Sequence, residues 1–296
     1  MLARTSGRGA VKGPDFICVG APRSGTSWLY EVLSRHPGLW LPPIKELHYF
    51  DQPSGKERYY SHLRMRLISA LWIKHPLSRF DLTYFLGHRD DAWYCKLFEP
   101  ARRRGLLTGE ITPAYSILDE QSFRRLRALN PEVKLIFIMR DPVMRAWSAV
   151  MKMQRKNGSS AVPDVAEAIR YARGPAVWKR TSYVENIERL ECVFSPEQIH
   201  YGFFDHLMRE PESFVREVLA FLGVEAGDVA GLLPPGPVNA AAGGRNPPPE
   251  FSRALVGDFM QWVDKLCARF DGPPHEWRMR YRAFLQSDPP QRSDRL

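Results

Sequence analysis

Residues 16–27 read Phe-Ile-Cys-Val-Gly-Ala-Pro-Arg-Ser-Gly-Thr-Ser. An apolar run enters a loop rich in Gly, Pro and Ser, then a stretch with an apolar stripe at Trp28, Leu29, Val32 and Leu33. That pattern predicts a buried strand, a tight turn and a helix. A strand, a glycine loop and a helix N-terminus make a phosphate cradle, because free backbone N–H groups and the positive end of the helix dipole converge on one spot. Gly20 and Gly25 keep the spacing of the common nucleotide loop G-x-x-x-x-G-K-[ST], but Thr26 stands where its lysine belongs. The cation has moved into the loop, at Arg23. Transfer of a γ-phosphoryl group uses that lysine together with Mg²⁺. Its absence argues for a transferred group with less charge.

A second constellation lies at residues 134–148, Lys-Leu-Ile-Phe-Ile-Met-Arg-Asp-Pro-Val-Met-Arg-Ala-Trp-Ser. The run Leu135 to Met139 suits a central parallel strand. Asp141 can cap the next helix, and Pro142 suits its first position. Arg140 then falls at the carboxyl end of a strand, where open α/β sheets bind ligands. Arg145 and Ser148 share one helical face. An arginine at the strand end and a hydroxyl two turns into the helix can grip one phosphate from two sides. The other reading is a salt bridge from Arg140 to a neighbouring carboxylate.

The third group, residues 45–51, brings an amine, a carboxyl and an imidazole together as Lys-Glu-Leu-His-Tyr-Phe-Asp. Lys45 and Glu46 could be a plain surface ion pair. His48 is a candidate base because an unperturbed imidazole titrates nearest to neutral pH, although a lone histidine beside aromatics is more often structural.

The segment Gly20 to Leu29 resembles the 5′-phosphosulfate loop of sulfotransferases, which use 3′-phosphoadenylyl sulfate (PAPS) as donor and need no metal. The pattern R-D-P-x-x-R-x-x-S resembles that family's site for the donor's 3′-phosphate. Residues 45–50 look like the K-E-x-H-[FY]-F segment of heparan sulfate sulfotransferases and their bacterial relatives. Gly109 to Tyr115 is similar to their E-K-[ST]-P-x-Y stretch, with Ile111 in place of a lysine. The stretches Trp93 to Phe98 and Tyr183 to Gly223 look like further family segments. The resemblance implies that Arg23, Ser24, Gly25, Thr26 and Ser27 hold the 5′-phosphosulfate, and that Arg140 and Ser148 hold the 3′-phosphate. It places Tyr183 and, in a loop over the donor, Arg245 with the donor-binding residues. Glu46 is the implied general base, with His48 its rival; Lys45 and Arg23 would stabilise charge at the reacting centre. Glu110 could orient a basic group, serve as a second carboxylate or cap the next helix.

The elements that must position these groups follow the order βαβαβα. That order predicts an α/β fold, a P-loop-like three-layer domain with a central parallel sheet flanked by helices. Helices are expected over 119–130, 142–157, 180–194 and 211–222, with a short strand begun by Leu106 and Leu107 and ending in the Gly109–Tyr115 segment, and strands over 134–140 and 200–204. Residues 1–13 read as a tail, and residues 14–296 as one domain. An aromatic, basic insertion over 52–105 is expected to cover the acceptor site, its Tyr59, Tyr60, Trp72, Tyr84, Phe85, Trp93 and Tyr94 mostly packing small helices. A loop over 234–250 is expected to cover the donor.

With 296 residues and 44% apolar content, the chain can bury a proper core. No run reaches the length of a membrane span, and no secretory leader is evident. The four cysteines show no metal-like pairing, so reduced thiols and a cytoplasmic setting are expected. A net charge of +9 favours anionic partners, although no nucleic-acid motif accompanies it. Arg102-Arg103-Arg104 reads as a solvated basic loop. The expected activity is sulfuryl transfer from PAPS to a hydroxyl or amine of a carbohydrate, glycolipid or secondary metabolite, with no metal. The rivals are a kinase-like P-loop phosphotransferase and a non-enzymatic polyanion-binding protein.

Overall fold

The computed structural model describes residues 12–51, 78–159, 161, 163–236 and 246–286. Most of the 1–13 tail, the part of the insertion over 52–77 with Tyr59, Tyr60 and Trp72, and the loop residues 237–245 with Arg245 lie outside the described residues.

In chain order, the first half comprises β1 (Phe16–Gly20), α1 (Thr26–Arg35), β2 (Leu39–Trp40), α2 (Arg79–Leu86), α3 (Asp91–Lys96), α4 (Glu99–Arg102), β3 (Leu107–Ile111), a 3₁₀ turn (Pro113–Ile117), α5 (Glu120–Leu129) and β4 (Lys134–Met139). Then come α6 (Pro142–Lys156), α7 (Val165–Arg173), α8 (Pro175–Thr181), α9 (Tyr183–Glu191), a second 3₁₀ turn (Pro196–Gln198), β5 (Ile199–Phe203), α10 (Phe204–Arg209), α11 (Pro211–Leu222), α12 (Val229–Leu232), α13 (Pro249–Cys267) and α14 (Pro273–Gln286).

The five strands form one all-parallel sheet in the order β2-β3-β1-β4-β5. The two-residue β2 was not foreseen, because so short a run carries no period. Alternation along each strand divides the core into two layers. Phe16, Cys18, Ile136 and Ile138 face one side, packed with Leu29, Val32 and Leu33 of α1 and Phe214, Val215 and Val218 of α11. Ile17, Val19, Leu135 and Phe137 face the other, with Phe123 of α5, Ala146 and Trp147 of α6, Ile187 of α9 and Phe259 of α13. Tyr84, Phe85, Trp93 and Tyr94 are buried in this second layer, as the packing reading of those aromatics expected.

The expected helix over 180–194 is two helices. The chain breaks at Ser182 (φ −71°, ψ 66°), which turns Thr181 toward α6 and Tyr183 toward the end of β4. In the Arg102-Arg103-Arg104 run, Arg103 and Arg104 are exposed turn residues, as the solvated-loop reading expected, and Arg102 departs from it. Arg102 ends α4 and donates to the carbonyls of Lys12 (3.0 Å) and Gly13 (2.6 Å), and so ties the chain's entry to the sheet. Asp141 caps α6 by accepting from Met144 N at 3.1 Å, with Pro142 in the first turn, as expected. Its carboxylate also accepts from Arg280 (2.9 Å) and the Tyr281 phenol (3.0 Å), so α14 fixes the start of α6.

Parallel strands put every carboxyl end on one edge. The loops after Gly20, Trp40, Ile111, Met139 and Phe203 therefore open toward the same edge.

One glycine contact tests this packing. Gly109 pairs with Phe16 across β1 and β3, and a Cβ there would lie 2.2 Å from the Phe16 ring. Gly109→Ala is expected to cost about 1–3 kcal/mol in urea unfolding through overpacking. Gly257, inside α13 with open space around it, should behave oppositely: Gly257→Ala is expected to stabilise by about 0.5–1 kcal/mol.

Candidate active site

The loop after β1 is shaped by Gly25, which adopts φ +84° as the residue before α1. A Cβ there would come within 2.9 Å of Leu207, so both conformation and space favour glycine. The first helical bond runs from Leu29 N to Gly25 O at 3.0 Å, and no side chain caps the helix. The N–H groups of the first turn, from Thr26 to Trp28, are left directed at the loop. Thr26 and Ser24 are buried, and the Ser24 hydroxyl faces the Tyr183 phenol.

Three arginines gather behind this turn. Arg23 donates from Nε to Ser148 Oγ at 3.0 Å, joining the loop to α6. Arg140 donates to the Arg23 carbonyl at 3.1 Å and lies 4.4 Å over the Phe204 ring. Arg145 is fully buried and donates to Pro22 O (3.3 Å), Val177 O (2.8 Å) and Thr181 Oγ1 (2.9 Å). None of the three makes a salt bridge among the described residues. The neighbouring-carboxylate reading of Arg140 therefore finds no partner there. Burial lowers the pKa of all three, with Arg145 brought to about 10. Neighbouring cations act in the same direction on Arg23, first Arg155 and then Arg140. Tyr183 donates to the Arg140 carbonyl at 2.9 Å and accepts from its N–H at 3.3 Å.

On the other side of the α1 terminus lies the loop that follows β2. Lys45 Nζ donates to Ser27 Oγ (3.1 Å) and to Glu46 Oε1 (2.9 Å). Glu46 Oε2 faces His48 Nε2 at 3.2 Å, and His48 Nδ1 faces Asp51 Oδ2 at 2.7 Å. Lys45, Glu46, His48 and Asp51 thus form one chain of contacts beginning on the first turn of α1, rather than a plain surface pair. Arg89, from the loop between α2 and α3, donates to the Leu47 and His48 carbonyls at 3.3 and 3.4 Å. Among the described residues, positive φ outside glycine occurs at Arg23 (74°), Glu46 (64°) and His48 (52°). Each such residue costs of order 1–3 kcal/mol, a strain found mostly at functional sites.

Glu110 is not a helix cap. It lies 1% exposed on β3, where its carboxyl accepts from the Tyr94 phenol (2.5 Å) and the Thr112 hydroxyl (3.0 Å). Burial pushes it up to about 7, against the pull of those hydroxyls. Ile111 packs into the core.

The structure therefore brings together Arg23, Ser24, Gly25, Thr26, Ser27, Arg140, Ser148 and Tyr183, with Lys45, Glu46 and His48 beside Ser27. The sequence reading gave no role to Asp51, Thr181 or Phe204. Asp51 could have been found as the next acid after His48; the other two meet the site only through folding. Uncompensated cations should make anions stabilising. Replacing chloride by phosphate at constant ionic strength is expected to raise the thermal midpoint, and Arg140→Ala to remove most of that gain in scanning calorimetry.

Comparison with known proteins bears on the family and the fold. Residues 14–228 match the model of the sulfotransferase family. Human heparan sulfate glucosamine 3-O-sulfotransferase 6 is 27% identical over 230 residues, covering 76% of this chain and 56% of that protein. The chain spans about half the length of the curated relatives it matches. A crystal structure of a sulfotransferase from Alicyclobacillus acidocaldarius is 26% identical, with a TM-score of 0.62 over 90% of this chain and 98% of that one. Mouse sulfotransferase SULT7A1, complexed with PAP, shares the fold at 16% identity, with a TM-score of 0.53 over 90% of this chain and 89% of that one. With an α/β fold, an all-parallel five-stranded sheet and a family match over most of its length, the chain belongs to the sulfotransferase family.

Proposed function

We propose that this protein transfers a sulfuryl group from PAPS to a hydroxyl or amine acceptor, with Glu46 as the general base. The observation that carries the reading is the position of Lys45 Nζ, which bonds both Ser27 on the donor loop and the Glu46 carboxylate. A base is thereby held next to the place where a phosphosulfate would sit.

The residues present fit the donor. The open N–H groups of the α1 turn, with Thr26 and Ser27, suit the 5′-phosphosulfate, and Arg140 and Ser148 suit the 3′-phosphate. Arg23 spans the two seats through its bond to Ser148. Glu46 would take the proton of the acceptor as the acceptor oxygen or nitrogen forms its bond to sulfur. The sulfur–oxygen bond to the 5′-phosphate breaks in line, and Arg23 and Lys45 would stabilise the charge that develops on the leaving oxygen. Exposure favours Glu46 over His48: their side chains are 29% and 7% accessible, and both ring nitrogens of His48 face carboxylates.

The acceptor class rests on the relatives. Heparan sulfate glucosamine and carbohydrate sulfotransferases are among the similar proteins, so a sugar hydroxyl is the acceptor we assign. No described helix is long and apolar enough to cross a membrane. A cytoplasmic setting, where PAPS is made available, is part of the same proposal.

Two measurements test the reading. Calorimetric titration with 3′-phosphoadenosine 5′-phosphate in EDTA should show binding that Arg140→Ala weakens by about tenfold to a hundredfold, the loss of charge-assisted hydrogen bonds. Binding of ATP with Mg²⁺ and not of this nucleotide would overturn the proposal. In radiolabelled transfer from PAPS to oligosaccharide acceptors, Glu46→Gln should lower kcat by about 10²–10⁴-fold while leaving nucleotide affinity nearly unchanged. A nearly unchanged kcat would move the role of base to another group.

A further inference from the structure

Glu110 is a buried acid at this edge of the sheet that the reaction as read does not use. It sits near the carboxyl end of β3, on the face opposite Ile111, beneath the loop that carries Glu46 and His48. Tyr94 from α3 and Thr112 after β3 donate to its two oxygens, at 2.5 and 3.0 Å. The Tyr115 phenol from the 3₁₀ turn faces the same carboxyl. Tyr115 in turn accepts the backbone N–H of Tyr49 at 2.8 Å and faces that of Phe50. The loop is therefore pinned, one residue after His48, to a phenol that stands on Glu110.

The pin meets a need of the loop. Glu46 and His48 both hold positive φ, a conformation that side chains other than glycine's resist. Something must hold the backbone there. Arg89 does so from the side, through the Leu47 and His48 carbonyls. Tyr115 does so from below, and the orientation of its hydroxyl depends on what lies beneath it. Tyr94, Tyr115, Tyr49 and Phe50 pack around this point: Tyr49 stacks on Tyr94 at 4.6 Å, and Phe50 meets Tyr115 edge-on at 5.5 Å. These rings shut water away from the carboxyl.

We propose that Glu110 is a positioning residue for the Glu46–His48 loop, a buried carboxyl on which the loop closes and whose ionisation drives the loop open. If the loop lifts, Glu110 meets water and its proton leaves for solvent. If the loop closes, the carboxyl is dry and holds the proton. Burial brings Glu110 to about 7 in the closed form, above the ordinary carboxyl value of 4.5. A group whose pKa is raised on closing contributes stability that is complete below the open-form value and is lost as pH rises to the closed-form value. The closed loop is thus favoured at lower pH, weakens between about 4.5 and about 7, and levels off above that. The other titratable groups facing this point are Tyr94, Tyr115, His48 and, near Tyr115, Asp51. The consequence for catalysis rests on the reading of Glu46 as base, but the structural proposal does not.

Amide hydrogen exchange at Tyr49, whose N–H is the pin itself, tests the proposal in the full chain without any acceptor. In the native protein the Tyr49 protection factor should fall by up to about tenfold per pH unit from about pH 5 to about pH 7 and then level. Glu110→Gln is neutral at every pH and should lose most of that slope while keeping Tyr49 protected above pH 7. Glu110→Ala should leave Tyr49 weakly protected throughout. The same slope in Glu110→Gln as in the native chain, or native protection in Glu110→Ala, would overturn the proposal. If Glu110→Ala does not fold, Glu110→Gln alone decides. Nucleotide binding is measured separately, so failure here and failure of the sulfotransferase reading give different results.

Discussion

The placement of Arg145 is the constraint on which the site depends. A guanidinium that is fully buried without a carboxylate is costly, and here it is held by the carbonyls of Pro22 and Val177 and by the Thr181 hydroxyl. Those partners come from the loop after β1 and from α8, while Arg145 itself comes from α6. One side chain thus fixes three segments relative to one another. It also sets a positive charge behind the loop that Arg23 and Arg140 complete. The break at Ser182 belongs to the same arrangement, since it faces Thr181 to Arg145 and lets Tyr183 reach the backbone of Arg140.

The first turn of α1 divides the site into two halves. On one side are the arginines and Ser148, which the proposed reaction uses to hold the donor. On the other are Lys45, Glu46, His48 and Asp51, among which that proposal places the base. Ser27 belongs to both, because its hydroxyl accepts from Lys45. Arg23, Glu46 and His48 all carry backbone strain. At Arg23 the contacts that sustain it come from Ser148 and Arg140, and at Glu46 and His48 from the 3₁₀ turn and the aromatic insertion. The described aromatics of that insertion, Tyr84, Phe85, Trp93 and Tyr94, are buried rather than presented as a binding face.

Much of this was legible in the sequence. The apolar runs at Phe16 and Leu135 marked the central strands because a strand buried on both faces needs no polar alternation. Asp141-Pro142 marked the start of α6, since a cap and a proline at the first position act within four residues. Gly25 marked the tight turn between β1 and α1. What failed was local in another sense. β2 is too short to show a period, the helix break at Ser182 has no proline or glycine to announce it, and Arg102 looked like a solvated cation until the chain's entry was laid beside it.

The sequence by itself determined the class of fold, the order of the strands' motifs and the types of group available to the site, because these rest on contacts between residues a few positions apart. The tertiary structure decided which of those groups meet. It joined Arg23 to Ser148 across 125 positions, buried Glu110 beneath a loop some 60 residues earlier, and moved Ile111 into the core. It also left Arg140 without a carboxylate salt bridge among the described residues. The reason is physical: pairings at long separation depend on strand order and on which layer of the sheet each side chain enters, and neither is written in any single stretch of chain.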